Sequence, residues 1–516
     1  MGLINTKRSP RSYDIAPIVS DKEFRYKKAA RPLPDIAVPQ VIITPDADKE
    51  LETENKTNQT TMNSSRNSPA IPTWINMYIF QELLPNKQPE FLEILSFQAR
   101  PALAPGENYC TLMLKITIIM RLKNNSNETL SFMMKVPHDS SEMAELLEMK
   151  NFFDVEREVY SKVIPEMEEM YRQVGGNVSF GAKVYELSDA VPSSNYVLLE
   201  DLCVRGYRNV NRLKCLDMDH TEAVLRKLAK FHAASACRIA ERGSYSGIFQ
   251  ADLSRPQGRE YIVQMFNSFR QPFMENLRLY ENGEKYYESM NKFFDNVVDE
   301  FIYGRLENPA YFNALNHGDV WCNNILFKHN ADGTVEDALF VDFQNTNYGP
   351  VAQDLFYFII SSTQIDIKID KFDYFIRYYH QHLEESLRLL IFPPEEIPTL
   401  RELHQQLIFY GSWAIITSFF TMGIVLLDPS EKANFENMLG EQKDNLEFKK
   451  TIYSNTRYVE HITKLLPWFH ARGFMETRDW SNEGSEKIYE QRAPCVVQKN
   501  KEIKNKLKIL FSRISI

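Results

Sequence analysis

Cysteine is sparse and unpatterned in this chain. Cys110, Cys203, Cys215, Cys237, Cys322 and Cys495 are the only six in 516 residues, and none stand in C-x-x-C spacing. That argues against a zinc site and fits a reducing compartment. The first residues hold no apolar leader, which argues against secretion. The expected location is therefore cytoplasmic. Basic residues are outnumbered, 60 Lys and Arg against 69 Asp and Glu, for a net charge of -9. Without a global basic field, nucleic acid is not an expected partner. Long uncharged runs are scarce as well. Leu407 to Leu427 is long enough to cross a bilayer. It contains Gly411, Ser412, Thr417, Ser418, Thr421 and Gly423, and no second such run accompanies it. We read it as one buried core helix.

The chain is 43% hydrophobic, enough for two or three domains with sizeable cores. Residues 1 to about 70 lack a sustained apolar period, and we expect a disordered arm there. Its start, Met1-Gly2-Leu3-Ile4-Asn5-Thr6 followed by Lys7 and Arg8, fits a myristoylation pattern short enough to arise by chance. Ile71 to Leu95 reads as a lead-in helix broken at Pro85. Leu92 to Ala102, Tyr109 to Leu122 and Thr129 to Val136 read as strands, followed by two more at Ala182 to Leu187 and Tyr196 to Leu199. From His220 onward the periodicity is helical. The tail from about residue 476 ends in a basic amphipathic stretch, Lys499 to Ile516. That stretch reads as a helix on an anionic membrane, a helix in a protein groove, or a disordered tail. Peripheral membrane contact is expected through the termini only, and no obligate protein partner is expected.

The chemistry concentrates between Asn316 and Gln344: N-H-G-D-V-W-C-N-N-I-L-F, then A-L-F-V-D-F-Q. The loop carries His317, Asp319 and Asn324, and a following strand brings Asp342 beside them. Phosphoryl transfer from a nucleotide needs such parts: a carboxylate for the acceptor hydroxyl and oxygen ligands for magnesium. Upstream, Lys135 stands among apolar residues near a strand end. It either snorkels or holds phosphates, and the second role needs a carboxylate from the next helix, Ser141 to Ile164. Glu156 and Glu158 are both available there.

The pattern H-G-D-x-W-x-x-N, then V-D-F-Q, then Asp354-Leu355, resembles the insect ecdysteroid-kinase-like proteins. These belong to the choline/aminoglycoside-kinase-like group and share a two-lobed fold with protein kinases. The resemblance spans roughly Ile71 to Met475. It implies an α+β fold: a small antiparallel-sheet N-lobe at about 71–202, including the hinge, and a large, mainly helical C-lobe at about 203–475. Phe153, Glu156 and Tyr160 match a family pattern F-x-x-E-x-x-x-Y, which selects Glu156 as the partner of Lys135. The turn Ala104 to Asn108 stands where kinases cover the nucleotide phosphates, and Gly106 there permits close backbone approach. Leu198 to Leu202 resembles the hinge, with the Glu200 carbonyl and the Leu202 amide as candidates for the adenine edge. Asp354 is a helix-cap candidate that, by resemblance, steadies the catalytic loop. His232 is assigned to the core.

The implied activity is that of an ATP- and Mg²⁺-dependent kinase acting on a hydroxylated small molecule, an ecdysteroid or a similar lipophilic compound. Asp319 takes the acceptor's proton, His317 orders the loop, and Asn324 and Asp342 bind magnesium. Lys135, oriented by Glu156, holds the phosphates. A protein kinase is disfavoured, because the loop reads H-G-D and not H-R-D, the metal strand reads D-F-Q and not D-F-G, and A-P-E is missing. The alternative from another class is a catalytically dead binding or scaffold protein. Such a protein has no need of the complete polar set.

Overall fold

The computed structural model describes residues 71–478, apart from 103–110, 138–151, 188–190, 192–194, 246, 250–255, 431–436, 439 and 441. Gly106 and its turn, the expected arm with Gly2, and the basic stretch Lys499 to Ile516 lie outside the described residues.

The N-terminal lobe is built on one antiparallel sheet. β1 (Phe91–Pro101), β2 (Thr111–Leu122) and β3 (Asn127–Pro137) form a meander. β5 (Val197–Glu200) pairs with β3, and β4 (Val184–Tyr185) lies at the edge, in the order β1-β2-β3-β5-β4. The cause is visible in β2, where Leu112, Leu114, Ile116, Ile118, Met120 and Leu122 alternate with less buried residues. Every second side chain falls on one face. Phe132, Met134 and Val136 of β3 complete that core. Burying each such side chain contributes about 1.5–3 kcal/mol.

The expected lead-in helix is absent. Met77–Phe80 forms a 3₁₀ turn and Leu83–Lys87 a single helical turn. Pro85 sits inside that turn without breaking it, because a first-turn N–H has no helical acceptor to lose.

After β3, helix α1 (Phe152–Glu158) passes through a π turn (Val159–Val163) into α2 (Ile164–Gln173). The helix therefore runs beyond the expected end at Ile164. Pro165 follows the widened turn at an N-terminal position of α2, where it is tolerated.

The C-terminal lobe is mainly helical. Its main helices are α3 (Met218–Arg242), α4 (Pro256–Leu277), α5 (Tyr287–Arg305), α6 (Ala352–Ser362), α7 (Phe372–Leu389), α8 (Leu400–Phe409), α9 (Ser412–Phe419), α10 (Thr421–Leu426), α11 (Lys443–Ser454) and α12 (Thr456–Ala471). Between α5 and α6 lie an antiparallel pair, β6 (Asn313–Asn316) with β9 (Asn347–Pro350), and within it a hairpin, β7 (Ile325–His329) with β8 (Val335–Phe340). Together they frame the loop carrying Asp319. His232 is fully buried on α3, bonded to the Tyr379 hydroxyl at 2.7 Å and to Asp354 at 3.2 Å.

Leu407 to Leu427 is not one helix. It is broken at Tyr410-Gly411 and at Phe420, and most of it is buried against neighbouring helices. Gly411 has no room for a side chain: an added Cβ would lie 2.1 Å from the Phe474 ring. Among the described residues no single helix is long and apolar enough to cross a membrane. Pro394–Phe409 and Ser412–Leu426 meet that standard only as a pair, bent by 55°.

A buried basic pair lies near α10. Lys368 donates to the Ile360 carbonyl and, at 2.9 Å, to His461 Nδ1. Burial pushes the His461 imidazole down to about 2, with the Lys368 charge adding to the effect. Folded His461 therefore stays neutral in acid that protonates it in the unfolded chain. The unfolded state binds the extra proton, so stability falls as pH drops below about 6.5, by about 1.4 kcal/mol per pH unit for this one group. Urea titrations from pH 7 to pH 5 should show a shallower pH slope for His461→Gln than for wild type. Equal slopes would remove His461 from the acid response.

Candidate active site

Alternation along β3 puts Lys135 on the face opposite Met134 and Val136. It is 1% exposed, and its ammonium donates to Glu156 Oε2 at 2.8 Å, Asp342 Oδ1 at 2.5 Å and Gln344 Oε1 at 3.1 Å. Three acceptors match its three donors. Burial alone would lower its pKa, but Asp342 and Glu156 overcome this and hold it above the ordinary lysine range. Burial pushes the Glu156 carboxyl up, Lys135 draws it back, and the charge on Asp342 adds to the push. Glu158 instead pairs with Lys162 at 2.7 Å, one turn away on the same helix.

The loop between β6 and β7 is tied down from below. Asp354 Oδ2 accepts the His317 N–H at 2.7 Å, and Oδ1 accepts the Gly318 N–H at 2.9 Å. Asp354 is thus a loop anchor and not a helix cap; Val351 holds the cap position of α6. His317 is buried, with Nε2 3.0 Å from the Val341 carbonyl and Nδ1 accepting the Asp319 N–H at 3.3 Å. This pattern fits the neutral Nε2–H tautomer, and burial pushes the imidazole pKa down. The ring links the Asp319 loop to the strand before Asp342.

Gly318 has φ +78°, and a Cβ there would lie 2.2 Å from the Asn345 carbonyl oxygen. Gly318→Ala meets both a left-handed backbone and a clash. It should cost about 2–4 kcal/mol in chemical denaturation, from the two penalties together. A midpoint like that of wild type would show that the loop relaxes freely.

Asp319 Oδ1 accepts from the Tyr357 hydroxyl. Its Oδ2 accepts from Asn324 Nδ2 at 3.1 Å, and the same amide donates to the Asp319 carbonyl at 2.9 Å. With Nδ2 so engaged, the Asn324 Oδ1 is the atom left for a cation. Burial, then the Asp342 charge, push the Asp319 carboxyl up to about 7 against the Tyr357 hydrogen bond. Asp342 is left-handed, φ 66° and ψ 62°, and its N–H donates to the Tyr160 hydroxyl at 3.3 Å. A non-glycine residue held in that region is a strain that clusters at functional sites. Among the described residues no group of three His, Cys, Asp or Glu is arranged for a metal.

One cavity of about 790 Å³ is lined by Glu156, Asp319, Asn324, Asp342, Gln344 and Tyr357 among others, and Lys135, His317 and Asp354 stand behind that lining. Glu200 and Leu202 line it at the hinge, Asp319, Asn324 and Asp342 at its middle, and apolar side chains of α4, α5, α9 and α10 beyond. At the hinge the Asp201 carboxylate accepts from Ser131 at 2.7 Å, Lys115 at 2.9 Å and the Cys203 N–H at 2.9 Å, fastening β2 and β3 to the linker.

Four contributors escape the sequence reading: Asp201, Arg305, Gln344 and Tyr357. Gln344 carries a faint signal, as the residue after Asp342-Phe343. Tyr357 lies one turn beyond Asp354 on α6. Arg305 carries no signal, being the last residue of a long helix. It is 9% exposed, donates to the Asn345 carbonyl at 3.1 Å, and has an unpartnered Nε. Burial lowers its pKa to about 10 against the charges of Asp354, Tyr357 and Asp319.

No curated protein matches the chain. A sequence model of the ecdysteroid kinase-like family matches residues 105–392, a span running from the sheet through the hinge and the Asp319 loop to the end of α7. The match covers more than half of the 516 residues, so the chain belongs to the ecdysteroid kinase-like family.

Proposed function

We propose that this protein is an ATP- and Mg²⁺-dependent phosphotransferase acting on a hydroxyl of a small lipophilic molecule, an ecdysteroid or a similar hydroxylated compound. The observation that carries the reading is the convergence of Glu156, Asp319, Asn324 and Asp342 on one cavity, with buried Lys135 bonded to Glu156 and Asp342 behind its lining. When ionised, Glu156, Asp319 and Asp342 set three negative charges against the single positive charge of Lys135. A divalent cation offsets that excess. Magnesium bound to proteins keeps several waters and takes one or two carboxylates plus substrate phosphates. Asp342 with the Asn324 Oδ1 fits that donor set. When bound, the ion neutralises charge on the phosphate oxygens.

The residues divide the remaining work. Lys135, fixed by Glu156 and Gln344, turns the donor it now gives to Asp342 toward the α- and β-phosphates. Asp319, held by Tyr357 and Asn324, orients the acceptor hydroxyl and takes its proton. His317 keeps the loop in register. The backbone of Glu200 and Leu202 meets the adenine edge. Such transfer depends mostly on positioning and charge neutralisation. The test is ATP binding with and without magnesium, followed by turnover against a panel of hydroxylated lipophilic compounds. Magnesium-dependent binding with a phosphorylated product supports the reading. Binding with no turnover on any acceptor favours the dead-kinase scaffold.

A further inference from the structure

The apolar run that resembles a membrane span forms a wall of the cavity. Trp413, Ile416, Thr417, Phe420, Thr421 and Ile424 line it at intervals of three and four, so one face of α9 and α10 is turned inward. Phe266, Phe269 and Phe301 line the same wing from α4 and α5. None of these four helices contributes a carboxylate to the lining.

Three polar atoms of residues lining this part of the cavity lack a partner: Trp413 Nε1, Arg305 Nε and Thr417 Oγ1. Trp413 Nε1 is turned onto Gly304, where an added Cβ would lie 1.8 Å from it, and Arg305 still donates through another nitrogen to the Asn345 carbonyl. Buried hydroxyls on the C-lobe helices commonly bond back to the preceding turn: Ser268 to Met265, Ser361 to Tyr357, Thr363 to Ile359 and Ser418 to Ile415. Thr417 does not. It is 1% exposed, and its Oγ1 has no hydrogen-bond partner. The Ser412 hydroxyl is also unpartnered but does not line the cavity. Threonine in a helix divides between two χ1 rotamers, so a rotation exchanges its methyl and hydroxyl on the wall at little cost. Thr421, four residues on, approaches the Tyr357 hydroxyl that holds Asp319. Thr417 thus stands about one helical turn, roughly 5–6 Å, from Thr421 and farther from Asp319.

We propose that Thr417 reads a second oxygen on the acceptor. The wing takes a rigid, uncharged, apolar diol or hydroxyketone, one hydroxyl delivered to Asp319 and the other oxygen to Thr417. A cation finds no carboxylate on these four helices, and an anion meets Asp319 and Asp342 at the reacting end, while Arg212 and Arg305 are held by the Val425, Leu427 and Asn345 carbonyls. The inference rests on the acceptor-binding role given to this cavity above.

The test is calorimetric binding to the full chain, without nucleotide, of polycyclic alcohols paired by skeleton, one member carrying the second oxygen and one lacking it. Wild type should prefer the two-oxygen member about tenfold, the worth of one neutral hydrogen bond. Thr417→Val should abolish that preference and Thr417→Ser should keep it. The melting temperature of Thr417→Val should not fall, because the lost hydroxyl has no partner in the protein. Absence of binding, equal binding of both members by wild type, or a preference that survives in Thr417→Val would each overturn the proposal. Because no nucleotide is present, selective binding without later phosphorylation overturns the phosphotransferase reading alone. Phosphorylation indifferent to the second oxygen overturns this inference alone.

Discussion

Asp319→Asn should bind ATP with nearly wild-type affinity and lose about 10²- to 10⁴-fold in kcat, the range for removing a positioned proton acceptor. The substitution keeps the volume and leaves Lys135, Glu156 and Asp342 untouched, so the nucleotide keeps its partners. What goes is the carboxylate that Tyr357 and Asn324 hold in place. An amide cannot take the acceptor's proton. The measurement is steady-state turnover on the best acceptor of the panel, beside nucleotide titration. Wild-type kcat would strip Asp319 of its role, and lost ATP affinity would show that the loop had collapsed.

Asp342→Asn should make ATP binding indifferent to magnesium and lower turnover on the order of a thousandfold, the scale of losing a main electrostatic element in the transition state. Asparagine is the informative replacement, because it tolerates the left-handed backbone at φ 66° that would strain alanine. The change also removes one negative charge from the Lys135 cluster while Glu156 and Gln344 remain. Titrations of wild type and variant with ATP, each with and without magnesium, decide the matter. A variant that keeps the magnesium response locates the ion elsewhere.

Much of the site was legible because it is local. His317, Asp319 and Asn324 lie within eight residues, and a hairpin of short apolar strands necessarily returns Asp342 to them. Glu156 was readable only with the family pattern, since period and charge allow Glu158 equally. Gln344 was not readable as a ligand. Its contact to Lys135 spans 209 residues, and its place after Asp342-Phe343 marks the residue without showing what it bonds. Tyr357 and Arg305 are likewise known only by what meets them. Each is a common residue on a helix until the neighbouring loop is packed against it.

The sequence by itself determined the alternation that builds the N-lobe sheet, the helical period of the C-lobe and the position of the polar loop from His317 to Asn324. Those depend on side-chain spacing and on residues near one another in the chain. Tertiary structure decided the rest: which glutamate meets Lys135, that Asp354 anchors the loop and does not cap a helix, and that Leu407 to Leu427 breaks into buried segments. An uncharged run satisfies a bilayer and a protein core alike, because both exclude water. Only the packing of Phe474 against Gly411, and of α9 and α10 around a cavity, shows which of the two surrounds it.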